Sequence, residues 1–367
     1  MDQTNILVVG AGVVGLAVAR ALAVLGREVI VIERNLYAGA ETSSRNSGVI
    51  HSGIYYPSLS RKARWCVIGR ELLYAYCEQY GVNHRRCGKL VVAQADQVPQ
   101  LQQLQRQANA NGVTDLRWLS GRDAQRLEPD LHCTAALLSP STGIVDAHEY
   151  LTSLRANLDT LSATVVFDTE LLTARPQQGQ IIAAIRSGGT ESELACRWLI
   201  NCAGLGAVGL TARIAGYPAD RVRQAYFAKG NYFTCTAGQP FRHLVYPMPT
   251  SASLGLHATL DLSGSMRFGP DVEWIDTLDY NVDETRAARF YTAIRQYWPG
   301  LPEGTLQPGY AGIRPKLVGA GQPAADFVVE GPEDHGIAGL INLLGIESPG
   351  LTASLAIGED LAQNFIH

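Results

Sequence analysis

Near its start the chain runs from Ile6 to Val9 without a polar residue, then through Gly10-Ala11-Gly12-Val13-Val14-Gly15, then through small apolar residues to Leu25 and Gly26. This order predicts a buried strand, a tight turn and a helix: apolar β-branched residues suit the strand, Gly10 permits the turn, and Gly26 stops the helix. Gly12 lets backbone approach a ligand, and Gly15 lets the helix lie against the strand. A second apolar run, Glu28 to Ile32, ends in Glu33. That acid stands about 20 residues beyond the glycines, where a dinucleotide site needs an acceptor for ribose hydroxyls. The helix N-terminus offers free N–H groups and a positive dipole end to a diphosphate, so the unit reads as a Rossmann-like βαβ.

After Glu33 the alternation of strand and helix stops, which argues against a complete nicotinamide domain. A polar, Gly-rich loop follows, Ala40 to Tyr56, and a loop of that length in a compact domain is usually functional. Periodicity and caps then predict a helix from Lys62 to Tyr80 closed by Gly81, a strand from Gly88 to Ala93, and a helix through Leu101, Leu104 and Ala108 ended by Gly112. Ser120 and Asp146 read as N-caps, the second for a helix from His148 to Leu161. Thr164 to Phe167 and Ile181 to Ile185 read as the strands of a hairpin-like excursion. Trp198 to Cys202 reads as a buried strand ending at Ala203-Gly204. Between Gln224 and Phe268 strand-like pieces alternate with Gly, Pro and Ser: Tyr226 to Phe233, Leu244 to Tyr246 and Leu254 to Leu260. A helix from Asp283 to Tyr297 comes next. The last residues return to strands, Phe327 to Glu330 and Leu340 to Leu344, and then to Ser348-Pro349, a cap and first-turn pair that starts a final helix.

The length, 367 residues, suits roughly two domains. The expected class is α/β, with two domains of α+β character. Residues 1–86, 146–216 and 315–367 form a nucleotide-binding domain, and 87–145 with 217–314 form an inserted, mainly antiparallel substrate domain. With 30 Lys+Arg against 34 Asp+Glu the net charge is −4, so no basic face for nucleic acid is expected. Cys66, Cys77, Cys87, Cys133, Cys196, Cys202 and Cys235 contain no C-x-x-C pair, so neither a disulfide framework nor a metal site is expected. These read as reduced thiols of a cytoplasmic protein. Met1 to Asn5 is polar and carries an acid where an export signal carries a base. No apolar stretch reaches the roughly 18 residues of a transmembrane span, which leaves peripheral contact at the inner face of a membrane open.

Four signatures in order carry a resemblance: Gly10-x-Gly12-x-x-Gly15 with Glu33; the loop Asn46-Ser47-Gly48-Val49-Ile50-His51-Ser52-Gly53-Ile54-Tyr55-Tyr56; Asn201-Cys202-Ala203-Gly204; and Gly345-Ile346-Glu347-Ser348-Pro349-Gly350-Leu351-Thr352. Together they resemble the D-amino-acid-oxidase-like FAD oxidoreductases. Within these, the His51 loop, Tyr246-Pro247, Leu256-His257 and Gly312-Ile313-Arg314-Pro315-Lys316 look most like the L-2-hydroxyglutarate dehydrogenase/oxidase group. The match spans nearly the whole chain. It departs at Pro57 to Lys62 and at Ala228-Lys229-Gly230, near the expected substrate entrance.

The resemblance implies FAD. Its cofactor-binding positions would be Gly10, Gly12, Val13, Val14 and Gly15 in the first turn, Glu33 and Arg34 after the second strand, and Thr42, Ser43, Arg45, Asn46, Ser47, Gly48 and Val49 in the loop. Leu171, Ala203, Gly204 and Arg314 would join them, with Ser348, Pro349, Gly350, Leu351 and Thr352 at the last helix. That helix also suits a flavin on physical grounds, because its N-terminus can face the ring edge where negative charge develops on reduction.

The reaction implied is oxidation of a small L-2-hydroxy acid, foremost L-2-hydroxyglutarate, to the 2-keto acid by hydride transfer to flavin N5, with quinone or oxygen as electron acceptor. Such a reaction needs a base for the hydroxyl proton, and a neutral imidazole suits pH 7. His51 and His257 are the two candidates, and His51 can equally serve as a structural donor to the flavin or as a covalent tether. Arg314 can fork onto a carboxylate, with Lys229 and Lys316 as helpers and Tyr55 and Tyr246 offering hydroxyls. Lysine is scarce, four against 26 arginines. Rival readings are an amino-acid or secondary-amine oxidase of the same fold, a non-catalytic flavoprotein, and an NAD enzyme.

Overall fold

The computed structural model describes residues 2–161, 163–248 and 255–366. β1 (Asp2–Val9) lies between parallel neighbours. Ile6 to Val9 pair with Val29 to Ile32 of β2 (Val29–Ile32) on one side and with Trp198 to Asn201 on the other. A central parallel strand is covered on both faces, which is why its sequence is unbroken by polar residues. Ile6 and Val8 pack with α1 (Val13–Val24) and the C-terminal helix Gly350–Asn364, whereas Leu7 and Val9 pack with Leu171, Ala174, Ile181 and Leu199. The strand Ala163–Val166 extends the sheet beyond β2, and Leu340–Leu344 pairs with the end of Thr190–Asn201. With the antiparallel strands Thr169–Gln177 and Gln180–Ser187 and the strand Val328–Glu330 the sheet has eight strands.

The C-terminal helix is held at backbone distance on two sides. A Cβ on its Gly358 would lie 2.6 Å from the carbonyl oxygen of Ala17 in α1. A Cβ on Gly69, in α2 (Arg61–Tyr80), would collide with the carbonyl of Thr352. Ser60 caps α2 by accepting from the Ala63 N–H, and Gly81 ends it in the left-handed conformation at φ +68°.

A second sheet of nine strands holds the other core, with Phe233, Phe241, Phe268, Phe290 and Tyr297 at its centre. Its strands run antiparallel except at one seam, where Leu244–Pro247 lies parallel to Lys89–Ala93 with Leu244 opposite Lys89. A small third sheet of Val49–Ile50, Gly143–Val145 and His84–Arg85 lies in the segments that link the two.

Three expectations need correction. The hairpin is formed by Thr169–Gln177 with Gln180–Ser187, not by 164–167 with 181–185. Gln178 and Gly179 both have positive φ, +51° and +79°, as the tight two-residue hairpin turn requires, and Ala163–Val166 instead adds in parallel to β2. The strand expected over Leu254 to Leu260 begins at Ala258, its start lying in part outside the described residues. The helix expected from Asp283 to Tyr297 is shorter: a 3-10 turn at Glu284–Arg286 leads into a helix at Ala287–Ile294.

Candidate active site

At the glycine turn Gly10 has φ +104°, a conformation that favours glycine, and a Cβ there would meet the Cys202 carbonyl oxygen at 2.6 Å. Gly15 does not face the cleft; it lets α1 press onto the Gly10 carbonyl. Gly12 caps α1 in an extended conformation with no side-chain cap, and the first turn holds no acid. Its N–H groups and dipole end are therefore open to an anion, with Val13 N–H donating to Ser43 Oγ at 3.0 Å. Glu33 is 8% exposed and accepts three bonds, from the Ala11 N–H, the Asn35 N–H and the Asn35 side-chain amide. A carboxylate has about four acceptor positions, so capacity remains for a ribose hydroxyl.

Two hollows join here. One, of about 720 Å³, is lined by Gly10, Glu33, Arg34, Leu171 and Ala203. The other, of about 1230 Å³, is lined by Val13, Val14, Arg45, Asn46, Ser47, Gly48, Val49 and His51, and by Ser348, Pro349, Gly350 and Leu351. They share Gly12, Thr42, Ser43, Cys202 and Gly204, which makes one elongated cleft. The loop that roofs it is internally fixed. Asn46 donates to the Ser43 carbonyl at 2.6 Å and accepts from Gly48 N–H at 2.8 Å, Ser47 meets the Tyr232 hydroxyl at 2.8 Å, and Thr42 donates to the Ile313 carbonyl at 3.2 Å. At the far end the C-terminal helix begins after Pro349 with no side-chain cap and no acid in its first turn. Two open helix N-termini on one long cleft, with an acceptor at the first end, fit a dinucleotide of the FAD kind.

His51, His257, Tyr246 and Arg314 converge on the larger hollow. The His51 N–H donates to Thr352 Oγ1 at 3.0 Å, and Thr352 donates to the Val49 carbonyl at 3.2 Å. Thr352 thus ties the loop to the helix and does not line the cleft. His51 Nε2 lies 3.4 Å from Ser348 Oγ, and its buried Nδ1 has no partner among the described residues. Burial, reinforced by the Lys89 ammonium, holds the His51 imidazole down to about 3. Burial, with Lys89, His51 and Arg314, drives His257 well below its ordinary value. Both imidazoles are neutral near pH 7 and can accept a proton. The His257 ring stacks on Tyr246 with centroids 3.5 Å apart and planes within 5°. Arg314 makes no ion pair among the described residues and faces the cleft.

Three expected substrate contacts are not brought to the cleft. The Lys229 ammonium is 2.9 Å from Asp279 and is buried there, because its strand position turns it away from the hollow. Lys316 pairs with Glu347 at 2.8 Å, and Lys62 meets the same carboxylate at 3.0 Å. Tyr55 lies behind the site, its ring 4.9 Å from the Lys89 ammonium. Lys89 itself was absent from the residues that the sequence singles out. A cation at the head of the apolar run Leu90-Val91-Val92-Ala93 is the signal that marks it. Tyr232 also lines the cleft and carries no local sequence mark, whereas Glu347 lines it from inside the Gly345 to Thr352 signature.

The signature of the family described as FAD dependent oxidoreductase (DAO) matches residues 5–364. The chain belongs to this family, and it is an FAD-dependent oxidoreductase. Among proteins of known name it is 43% identical to a mitochondrial L-2-hydroxyglutarate dehydrogenase of Arabidopsis thaliana, over 100% of this chain and 84% of that one. It is 25% identical to L-2-hydroxyglutarate dehydrogenase of Escherichia coli K12, over 96% and 91%. Among solved structures, L-α-glycerophosphate oxidase of Mycoplasma pneumoniae, with FAD bound, superposes with a TM-score of 0.87 at 23% identity, covering 100% and 96%. Glycine oxidase of Geobacillus kaustophilus gives 0.82 at 20%, covering 100% and 96%. These two likenesses show the fold. Among the described residues no helix is long and apolar enough to cross a membrane.

Proposed function

We propose that the enzyme oxidises a small L-2-hydroxy acid, L-2-hydroxyglutarate, to the 2-keto acid. The observation that carries this reading is the convergence of two neutral imidazoles and an arginine without an acidic partner on one hollow of the cleft. An arginine fork suits a carboxylate, and a neutral imidazole beside it suits the hydroxyl on the adjacent carbon. The relatives named for L-2-hydroxyglutarate supply the particular acid. In this reading Arg314 holds the substrate carboxylate and the hydroxyl proton passes to His51 or His257. Tyr246 keeps the His257 ring in place through the stack. Bound FAD supplies the hydride acceptor, held by the glycine turn, the Thr42 to Val49 loop and the Ser348 to Leu351 segment. The electrons then pass to a quinone or to oxygen, in the cytoplasm or at the inner face of a membrane. Lys229 and Lys316, each paired to an acid, take no part in this reading.

The test is an anaerobic titration of the purified yellow protein with L-2-hydroxyglutarate, D-2-hydroxyglutarate, glycerol 3-phosphate, sarcosine and several D-amino acids, followed in the visible flavin band. Bleaching by the L-hydroxy acid alone is expected. Bleaching by an amine alone moves the chemistry to C–N oxidation and overturns the proposal.

A further inference from the structure

We propose that Lys89 is a positioning residue of the active site, whose buried ammonium backs the Tyr246–His257 stack and opposes protonation of the imidazoles when a dianionic substrate binds. The proposal rests on the L-2-hydroxyglutarate reading above.

Of the four lysines, three have acids: Lys62 and Lys316 share Glu347, and Lys229 has Asp279. Lys89 is 1% exposed and has neither an ion pair nor a hydrogen bond through its ammonium among the described residues. An isolated buried charge is costly, and packing alone would be better served by a methionine of similar shape. What surrounds it instead is a column of rings. The ammonium sits 4.9 Å from the Tyr55 ring centroid and 4.8 Å from that of Tyr246, and Tyr246 in turn lies flat on His257. The parallel seam makes this column: it sets Lys89 opposite Leu244, two residues before Tyr246 and on the same sheet face. Cation–π contact orients the Tyr246 ring, and through it the imidazole that lines the cleft.

The titratable groups facing Lys89 are Tyr55, Tyr246 and Cys66, all held protonated and neutral by burial, the thiol pushed up to about 12. Arg70 acts on Cys66, and His51, His257 and Arg314 lie beyond. Lys89 and Arg314 are therefore the charges that bear on His257, and Lys89 the one that bears on His51. A substrate bringing two carboxylates raises the proton affinity of any nearby imidazole, and a protonated imidazole cannot take the hydroxyl proton. The fixed cation behind the stack opposes that rise. Burial also holds the Lys89 ammonium itself down to about 8, so it is fully charged across the acid range in which an imidazole could take up a proton.

The experiment measures kcat and kcat/KM against pH, with L-2-hydroxyglutarate, for the wild-type holoenzyme, Lys89→Met and Lys89→Arg. In Lys89→Met the acid limb of kcat should move up by about half to one pH unit, the size expected for loss of one nearby charge. In Lys89→Arg, whose charge persists, the acid limb should stay where it lies in wild type. The thermal midpoint of Lys89→Met should equal or exceed that of wild type, because an unpaired buried charge has gone. Imidazole ¹⁵N shifts of the holoenzymes with glutarate bound, assigned with His51→Asn and His257→Asn, should show protonation at higher pH in Lys89→Met. Acid limbs that coincide in wild type and Lys89→Met, or unchanged imidazole titration in Lys89→Met, would overturn the role of Lys89 even if overall activity fell. The substrate reading fails separately, if L-2-hydroxyglutarate leaves the wild-type flavin oxidised.

Discussion

Arg314 stands on the strand Leu306–Lys316, opposite Ala228, between the buried residues Ile313 and Pro315, so its guanidinium is presented to the cleft from a fixed backbone. Its value in the proposed reaction is the planar fork, which lysine lacks. Arg314→Lys should raise KM for L-2-hydroxyglutarate about 10- to 100-fold, the loss of one charge-assisted hydrogen bond of about 1.5–3 kcal/mol, with kcat changed less. Steady-state kinetics on the two enzymes checks this, and an unchanged KM would remove Arg314 from carboxylate binding. The imidazoles give a second residue-scale expectation. His51 binds no proton in the folded protein until the pH nears 3, whereas the unfolded chain takes one up near 6.5. Below about pH 6.5 the unfolded state therefore holds more protons, and stability falls as the pH drops, by up to about 1.4 kcal/mol per pH unit for this one group. Urea midpoints between pH 7 and 4.5 should fall less steeply in His51→Gln. At this scale the sequence was readable where a residue sits in a telling neighbourhood, as His51 does in its Gly/Ser loop. It was unreadable for Lys229 and Lys316, because Asp279 lies 50 positions from the first and Glu347 belongs to a separate motif beyond the second.

The C-terminal helix shows how an element places a site. Its N-terminus faces the cleft, and its direction is set by glycines: its own Gly358 against α1, and Gly69 of α2 against Thr352. A methyl at either crossing must push backbone aside. Gly358→Ala should lower stability by about 1–3 kcal/mol, the usual cost of overpacking, and should weaken FAD retention by moving the Ser348 to Leu351 segment. Thermal unfolding and fluorescence titration of released FAD measure the two effects, and loss of stability with unchanged FAD affinity would show that the crossing does not set the cofactor end. Most elements of the nucleotide-binding sheet were legible, because a continuous apolar run, a glycine turn and a cap are local signals. The hairpin was misassigned because its turn, Gln178-Gly179, sits inside a polar stretch that resembles loop. The parallel seam between Leu244–Pro247 and Lys89–Ala93 has no local signal: it joins strands about 150 residues apart in a sheet otherwise antiparallel. That seam is also what brings Lys89 to Tyr246, so the residue and the topology were hidden for the same reason.

For the whole molecule the question is what keeps the two sheets at a fixed distance across the cleft. Glu347 bears on it directly. Its carboxylate meets Lys62 of α2 at 3.0 Å and Lys316, at the end of the strand Leu306–Lys316, at 2.8 Å. One acid in the loop before the C-terminal helix thus joins that helix to α2 and to the second sheet. Lys62 and Glu347 are nearly buried, with side chains 7% and 8% exposed, so the ions are not interchangeable with water. Removing the acid leaves two ammonium groups with no partner, a change that commonly costs about 3–5 kcal/mol. Removing an ammonium together with the acid should cost much less, because fewer charges are stranded. Glu347→Gln should therefore unfold at a clearly lower urea concentration than wild type, and Lys62→Met combined with Glu347→Gln should recover part of the loss. The holoenzymes should follow the same order, with weaker FAD retention in Glu347→Gln, since the segment it anchors carries Ser348 and Pro349 into the cleft. If the double variant were no more stable than the single one, the three side chains would not act as a unit. The spacing of the sheets would then have to come from the hydrogen bonds that tie the Thr42 to Val49 loop to Ile313 and Tyr232 of the second sheet.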